Sequence, residues 1–242
     1  MVTENASVQL MLAASQAPVE ENSIAEERVL TLYVPTLPIS ESLVFRFAKR
    51  TIDVTVATMA LIVLSPIMLV LALLIKRNDG GPVFYRQPRI GRFGVPFQFY
   101  KFRSMRMDAD KIREQLLHMS DAEGAAFKMK NDPRVTPLGR FMRKYSLDEL
   151  PQLFSVLAGH MAIIGPRPHL SEEVRTYLPE QRARLLVKPG LICLREVNGR
   201  SHLSFDEWIA LDLQYVRDRS IWLDTAIFFK AIPAVVRGDG AY

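Results

Sequence analysis

Two adjacent carboxylates, Asp148 and Glu149, stand in the run Ser146-Leu147-Asp148-Glu149-Leu150-Pro151-Gln152-Leu153. One carboxylate of such a pair can attack phosphorus to give an acyl-phosphate, while its neighbour holds a metal ion or manages a proton. Neighbouring carboxylates repel, so both stay ionised only with cations close by. Mg²⁺ meets that need with few protein ligands, because it also binds substrate phosphates and keeps several waters. A second reading needs no chemistry: Ser146 and Glu149 have the spacing of a capping box, and acidic residues are favourable in a first helical turn. Pro151 complicates it, since proline prefers the first helical position and a helix begun at Leu147 would already be under way.

Basic side chains suited to a diphosphate flank this pair. Upstream, Phe99-Tyr100-Lys101-Phe102-Arg103-Ser104-Met105 alternates aromatic and basic residues, so on a strand Lys101 and Arg103 project from one face. A half-exposed strand with a solvated charged face fits the same alternation. Arg143 stands five residues before Asp148, and Gly165-Pro166-Arg167-Pro168 sets an arginine between two prolines. Prolines fix φ and preset an extended backbone, which presents a guanidinium at little ordering cost, and a guanidinium matches phosphate oxygens in a bidentate way. Taken alone, the same four residues also describe a plain surface turn.

The elements that must hold these groups follow from local pattern. Asn78 to Pro82 reads as a turn, and β-like stretches Val83 to Gln87 and Pro96 to Arg103 flank Gly91 to Gly94 as a hairpin. Helical spacing covers Met107 to Met119, Leu147 to Leu157 and Glu172 to Leu186. From Phe205 to Val236, apolar residues recur at helical spacing. That stripe fits packing against the core, or helices lying in a membrane interface, with Trp208 and Trp222 favouring the second.

Val54 to Ile75 is a run of 22 uncharged, mostly apolar residues, enough to cross a hydrocarbon core as a helix. Lys49 and Arg50 precede it and Lys76 and Arg77 follow it, so both ends favour the cytoplasmic face. Ser65 and Pro66 sit at its middle, where proline removes a backbone donor and clashes with the preceding turn. The residues alone leave two readings open, a broken helix that enters and returns, or a kinked helix that spans.

Length and charge bound the rest. At 242 residues the chain accommodates one catalytic core with appendages. Residues 1–41 hold Arg28 against six glutamates and three prolines, and read as an acidic disordered tail without a secretory leader's pattern. The formal charge of +5 therefore hides a strongly basic remainder, which suits a phosphate-bearing substrate, an anionic lipid surface or nucleic acid. The single cysteine, Cys193, excludes an intrachain disulfide, and the histidines at 118, 160, 169 and 202 lack zinc-ligand spacing.

In this order, the interrupted apolar run, Lys101 to Met105, Leu147 to Leu153 and Gly165 to Pro168 resemble the bacterial sugar transferase family of monotopic phosphoglycosyl transferases, over about residues 46–242. The resemblance implies an α+β, mostly helical protein of the inner membrane. It divides the chain into the tail (1–41), a re-entrant helix-break-helix hairpin (42–77) turning at Ser65-Pro66, and a cytosolic catalytic domain (78–242) with interfacial helices. It implies that Asp148 attacks the β-phosphorus of a UDP-sugar and releases UMP, and that polyprenyl phosphate then takes the sugar-phosphate, as in the first membrane step of exopolysaccharide or capsule synthesis. Glu149 would help position Mg²⁺, and Lys101, Arg143, Arg167 and Asp224 fall at substrate-binding positions; Arg103 is assigned to the same group by spacing alone. Long family members carry further membrane helices ahead of the catalytic module, where this sequence has the acidic stretch.

One stretch departs from the family. Where many members read Thr-Gly-Leu-Trp-Gln, this chain has Ile192-Cys193-Leu194-Arg195-Glu196, and Val197, Gly199 and Arg200 resume the pattern. The departure bears on which sugar or base is recognised. Two rivals remain at this level, a membrane-anchored metal-dependent nucleotide-sugar pyrophosphatase and a non-enzymatic basic membrane-surface adaptor. No nucleic-acid-binding motif is present to support a nucleic-acid partner, and the residues leave monomer and homo-oligomer both open.

Overall fold

A computed structural model of the chain describes residues 42–109, 111–112, 129, 132–199 and 203–238. The expected acidic tail and most of the helix expected at 107–119 lie outside the described residues.

Helix α1 runs from Leu43 to Asp79. Its start is fixed by Ser42, whose hydroxyl accepts from the Phe45 N–H at 3.1 Å. Its end is fixed by Gly80, which takes the left-handed conformation at φ 71° and returns its N–H to Lys76 O. At 37 residues it is roughly 55 Å long, and it is long and apolar enough to cross a membrane. Met59, Ile62, Val63, Leu69, Val70 and Leu73 leave its surface exposed and apolar.

The break expected at Ser65-Pro66 is not seen: the helical backbone continues through Pro66. The Ser65 hydroxyl donates to Ile62 O at 2.8 Å, satisfying a carbonyl in the turn that proline perturbs, and serine compensation of this kind lets a membrane helix carry proline without unwinding.

Both halves of α1 nevertheless pack on the same domain. Before Pro66, Ala57 joins a core of Phe97, Phe99, Leu153, Val156, Ile163 and Ile227. After it, Met68, Leu71 and Ile75 close a second cluster with Phe102 and Met142.

The polar ends of α1 are pinned as well. Arg50 donates to Val156 O at 2.6 Å and Leu157 O at 2.8 Å, capping the last carbonyls of helix α3 (Gln152–Leu157). Asp53 accepts from Lys49 at 2.9 Å and from the Ile163 N–H at 3.0 Å. Asp79, at the other end, holds Arg103.

Strands β1 (Phe84–Ile90) and β2 (Pro96–Phe102) form the expected antiparallel hairpin, pairing Phe84 with Phe102 and Ile90 with Pro96. Helix α2 (Pro137–Lys144) follows, capped by Thr136 with proline at its start. Gly139 lets α2 lie directly on the chain beyond β2, since a Cβ there would meet Ser104 O at 2.0 Å.

The single helix expected over Leu147 to Leu157 is two pieces, a 3-10 turn at Leu147–Glu149 and α3, divided at Pro151. Pro179 likewise divides the expected Glu172 to Leu186 helix into α4 (Ser171–Arg175) and a 3-10 stretch at Glu180–Leu186. Strands β3 (Ala162–Ile164) and β4 (Gly190–Ile192) pair in parallel, and short α5 (Leu194–Val197) follows β4. The terminal pattern resolves into α6 (Phe205–Asp218) and α7 (Ile221–Arg237). Trp222, Phe229, Ile232 and Val236 of α7 are exposed, which keeps an interfacial position available to it.

Candidate active site

Ser146 adopts φ 55°, a left-handed conformation uncommon for a residue with a Cβ, and its side chain makes no capping hydrogen bond. The capping-box reading of Ser146 and Glu149 therefore does not hold. Glu149 turns away from the serine and toward two cations.

Lys101, near the end of β2, places its ammonium 2.6 Å from Glu149 Oε1 and 3.6 Å from Asp148 Oδ2. Arg167 donates one guanidinium nitrogen to Glu149 Oε1 at 2.7 Å and another to Oε2 at 3.4 Å. Residues 48 and 18 positions from Glu149 thus meet on one carboxylate.

The Arg167 loop is held from behind. Gly165 donates its N–H to Ile192 O at 3.1 Å, and Gly190 donates to Pro166 O at 2.8 Å. That close approach needs a glycine, because a Cβ on Gly190 would meet Gly165 N at 2.1 Å. Arg184 donates to the Arg167 carbonyl at 2.8 Å and is itself paired with buried Asp212 and in contact with His169 and Tyr177. Arg143, on the last turn of α2, donates to Ser104 Oγ at 3.0 Å, and the Asp148 carboxylate is among the charges that act on it.

The two adjacent carboxyls are unequal. Burial raises the Asp148 pKa and the neighbouring Glu149 charge adds to the rise, while Lys101, Arg143 and Arg167 oppose it without cancelling it. Burial also works to raise Glu149, but the charges of Arg167 and Lys101 and their hydrogen bonds outweigh it, so its carboxyl is held well below the usual range. Glu149 is therefore the fixed anion. Asp148 is buried beside it with one 3.6 Å ion contact and needs a further cation to ionise readily.

Two predicted site residues lie elsewhere. Arg103 is committed to Asp79 through two contacts and to Pro82 O at 2.7 Å, so it fastens the end of α1 to the hairpin. Strand alternation places Arg103 with Lys101, but β2 ends at Phe102 and the guanidinium turns back to α1. Asp224 pairs with Lys49 at 2.8 Å and accepts from Tyr215 Oη at 2.8 Å, joining α7 to the start of α1. Neither contacts the dyad or its cations through a hydrogen bond or ion pair.

The structure also brings in residues that sequence reasoning did not assign. Ser104 lies inside the motif containing Lys101 and could have been found there. Arg184 and Glu196, which stands 3.6 Å from Arg167, carry no local signal beyond the family departure at 192–196.

A donor set for a hard cation is present in part. Among the described residues no group of three or more metal-ligating side chains occurs, so a Mg²⁺ ion would take the oxygens of Asp148 and Glu149 and complete its shell from phosphate and water. The charge deficit at Asp148 fits such an ion.

Residues 44–238 match the bacterial sugar transferase family. The chain is 45% identical over 201 residues to an undecaprenyl-phosphate galactose phosphotransferase of Salmonella typhimurium, covering 81% of this chain and 42% of that protein. It is 38% identical over 211 residues to a UDP-glucose:undecaprenyl-phosphate glucose-1-phosphate transferase of Escherichia coli, covering 82% of this chain and 43% of that protein. Exopolysaccharide production protein ExoY of Rhizobium meliloti is 41% identical over 199 residues, covering 81% of this chain and 88% of ExoY. The chain thus spans less than half the length of the first two of these relatives and most of the third.

Proposed function

This chain belongs to the bacterial sugar transferase family, and on that premise we propose that it transfers a sugar-1-phosphate from a UDP-sugar to undecaprenyl or a related polyprenyl phosphate. The observation that carries the reading is the division of labour in the dyad: Glu149 is neutralised by Lys101 and Arg167, while its neighbour Asp148 is left buried with a weakly engaged carboxylate.

In the first step an Asp148 oxygen bonds to the β-phosphorus, and the bond from that phosphorus to the bridging oxygen breaks, releasing UMP and leaving an aspartyl-phosphosugar. In the second, a phosphate oxygen of the polyprenyl phosphate attacks the same phosphorus and displaces Asp148. Lys101, Arg143 and Arg167 gather the phosphate oxygens in both steps, and Glu149 keeps Lys101 and Arg167 oriented while they do so. A Mg²⁺ ion would be held by Asp148 and Glu149, and would supply positive charge that favours an ionised Asp148 and offsets charge on the leaving phosphate.

The membrane arrangement supports the same reading. Arg50 and Asp53 at one end of α1 and Asp79 at the other are bonded to the same domain, which supports a placement of both ends on one face of the bilayer. A site held this way would meet a soluble donor and a lipid acceptor at the cytoplasmic face of the inner membrane.

The test is UMP release by purified protein with Mg²⁺, undecaprenyl phosphate and a panel of UDP-sugars. Lipid-dependent release that Asp148→Asn abolishes is the expected result. Release unchanged by that substitution removes Asp148 as the nucleophile, and lipid-independent release of sugar phosphate makes the protein a pyrophosphatase.

A further inference from the structure

Arg167 lies between two carboxylates. On one side it binds Glu149; on the other, Glu196 Oε1 stands 3.6 Å from its NH1, beyond direct hydrogen-bond distance. Glu196 belongs to α5, where its second oxygen, Oε2, accepts the Cys193 N–H at 2.5 Å as part of a capping box. The cap fixes the rotamer. It leaves Oε1 on the Arg167 side, at ion-pair range from that guanidinium. The Glu196 side chain keeps 21% of its surface, so part of it is within reach of a ligand.

An anion there repels a phosphate, and apart from its charge on Arg167 it can act on a substrate only as an acceptor. The substrate group that suits such an acceptor is a hydroxyl, since a carboxylate only accepts hydrogen bonds. We propose that Glu196 recognises a hydroxyl of the donor's hexose, making it a specificity-determining residue at the site described above; this rests on the sugar-1-phosphate transfer reading. Both the hexose and the ribose of a UDP-sugar carry hydroxyls. The hexose is favoured because Arg167 also touches Glu149, next to the nucleophile, and the phosphorus attacked by Asp148 is the one that bears the hexose.

A hydrogen bond to a charged group discriminates strongly against a ligand lacking the donor, since the half-buried acceptor, covered by the ligand, is then left unpaired. Glu196→Gln probes this with little damage to the fold, because a glutamine oxygen still caps Cys193 and turns the amide, a donor, toward Arg167. The measurement is equilibrium binding of UMP, a UDP-hexose, and UDP-hexose analogues with one hydroxyl at a time replaced by hydrogen, to wild type and Glu196→Gln. Wild type should lose roughly tenfold or more in affinity at one hydroxyl position, and the variant should show no further loss at that position while binding UMP as wild type does.

A variant that weakens UMP and every analogue alike makes Glu196 a structural cap and overturns the assignment, as does a variant with wild-type discrimination. Loss of ribose-dependent UMP affinity alone assigns the contact to the nucleotide instead, which also overturns it. Hexose-selective binding without transfer to lipid keeps this inference and rejects the transfer reading. Absence of any sugar-nucleotide binding rejects both.

Discussion

Lys101 and Glu149 form a 2.6 Å ion pair at the centre of the site, and that pair draws the ammonium away from Asp148, 3.6 Å distant. With Arg167 on the same Glu149 oxygen, the dyad is polarised into one settled anion and one carboxyl whose pKa is raised. Each consequence of that polarity is measurable.

Asp148→Asn should abolish transfer, by at least about a thousandfold, as loss of a covalent nucleophile does. It should not destabilise the protein at neutral pH. A carboxyl whose folded pKa is raised contributes stability that is full below its unfolded pKa and lost as pH rises through the folded value. Ionised Asp148 is therefore a cost at pH 8, and the asparagine removes it. Thermal unfolding at pH 8 should show an equal or higher Tm for the variant, with the difference shrinking in acid.

Glu149→Gln should act in the opposite sense. The folded pKa of Glu149 is depressed, so its stabilisation is present above the unfolded value and lost as pH falls through the folded one. Removing the charge leaves Lys101 and Arg167 half-buried without their anion, at a cost of about 3 kcal/mol for a broken buried pair. Urea unfolding at pH 7 should report that loss. A midpoint equal to wild type would mean that Asp148 ionises and takes over both cations.

Mg²⁺ should raise the Tm of wild-type protein at pH 8, because an ion that binds only the folded state stabilises it by mass action. The increase should vanish in Asp148→Asn and be absent with K⁺ at equal ionic strength. A shift of the same size in both proteins would place the ion away from the dyad.

The contrast between Arg143 and Arg103 shows what sequence reveals here and what it hides. The dyad was legible because its two members are neighbours, and Lys101, Arg143 and Arg167 because their motifs are local. Arg103 shares the Lys101 motif and its strand parity, yet its destination depends on where β2 ends and on Asp79, 24 residues away, which no local pattern encodes. The hairpin and the apolar run were readable from alternation and length. The split of 147–157 at Pro151 was only half readable, since the conflict was visible but the left-handed Ser146 that resolves it was not. Arg184, reaching Arg167 from a distant 3-10 stretch, had no sequence signal.

Arg103→Ala should accordingly reduce stability and leave KM for the UDP-sugar unchanged, whereas Arg143→Ala should raise KM or lower kcat with less effect on unfolding. The Arg103–Asp79 pair is partly exposed at Asp79, which limits the expected loss to about 2 kcal/mol. A several-fold rise in KM for Arg103→Ala at unchanged Tm would return Arg103 to the substrate site.

The topology of α1 yields the last prediction. A spanning helix would put Lys49 and Arg50 across the bilayer from Lys76 and Arg77, yet Arg50 bonds to α3 while Asp79 bonds to Arg103, and both partners belong to one domain. If those contacts persist in the membrane, both ends of α1 are expected on one side. The native thiol does not interfere with a labelling test, since Cys193 is buried at 2% exposure. Single cysteines at exposed Val44 and Asn78 should therefore both react with a membrane-impermeant maleimide in inverted membrane vesicles and both be protected in intact spheroplasts. Reaction of one from each side would make α1 a spanning helix, and the contacts at one of its ends would then have to break in the membrane.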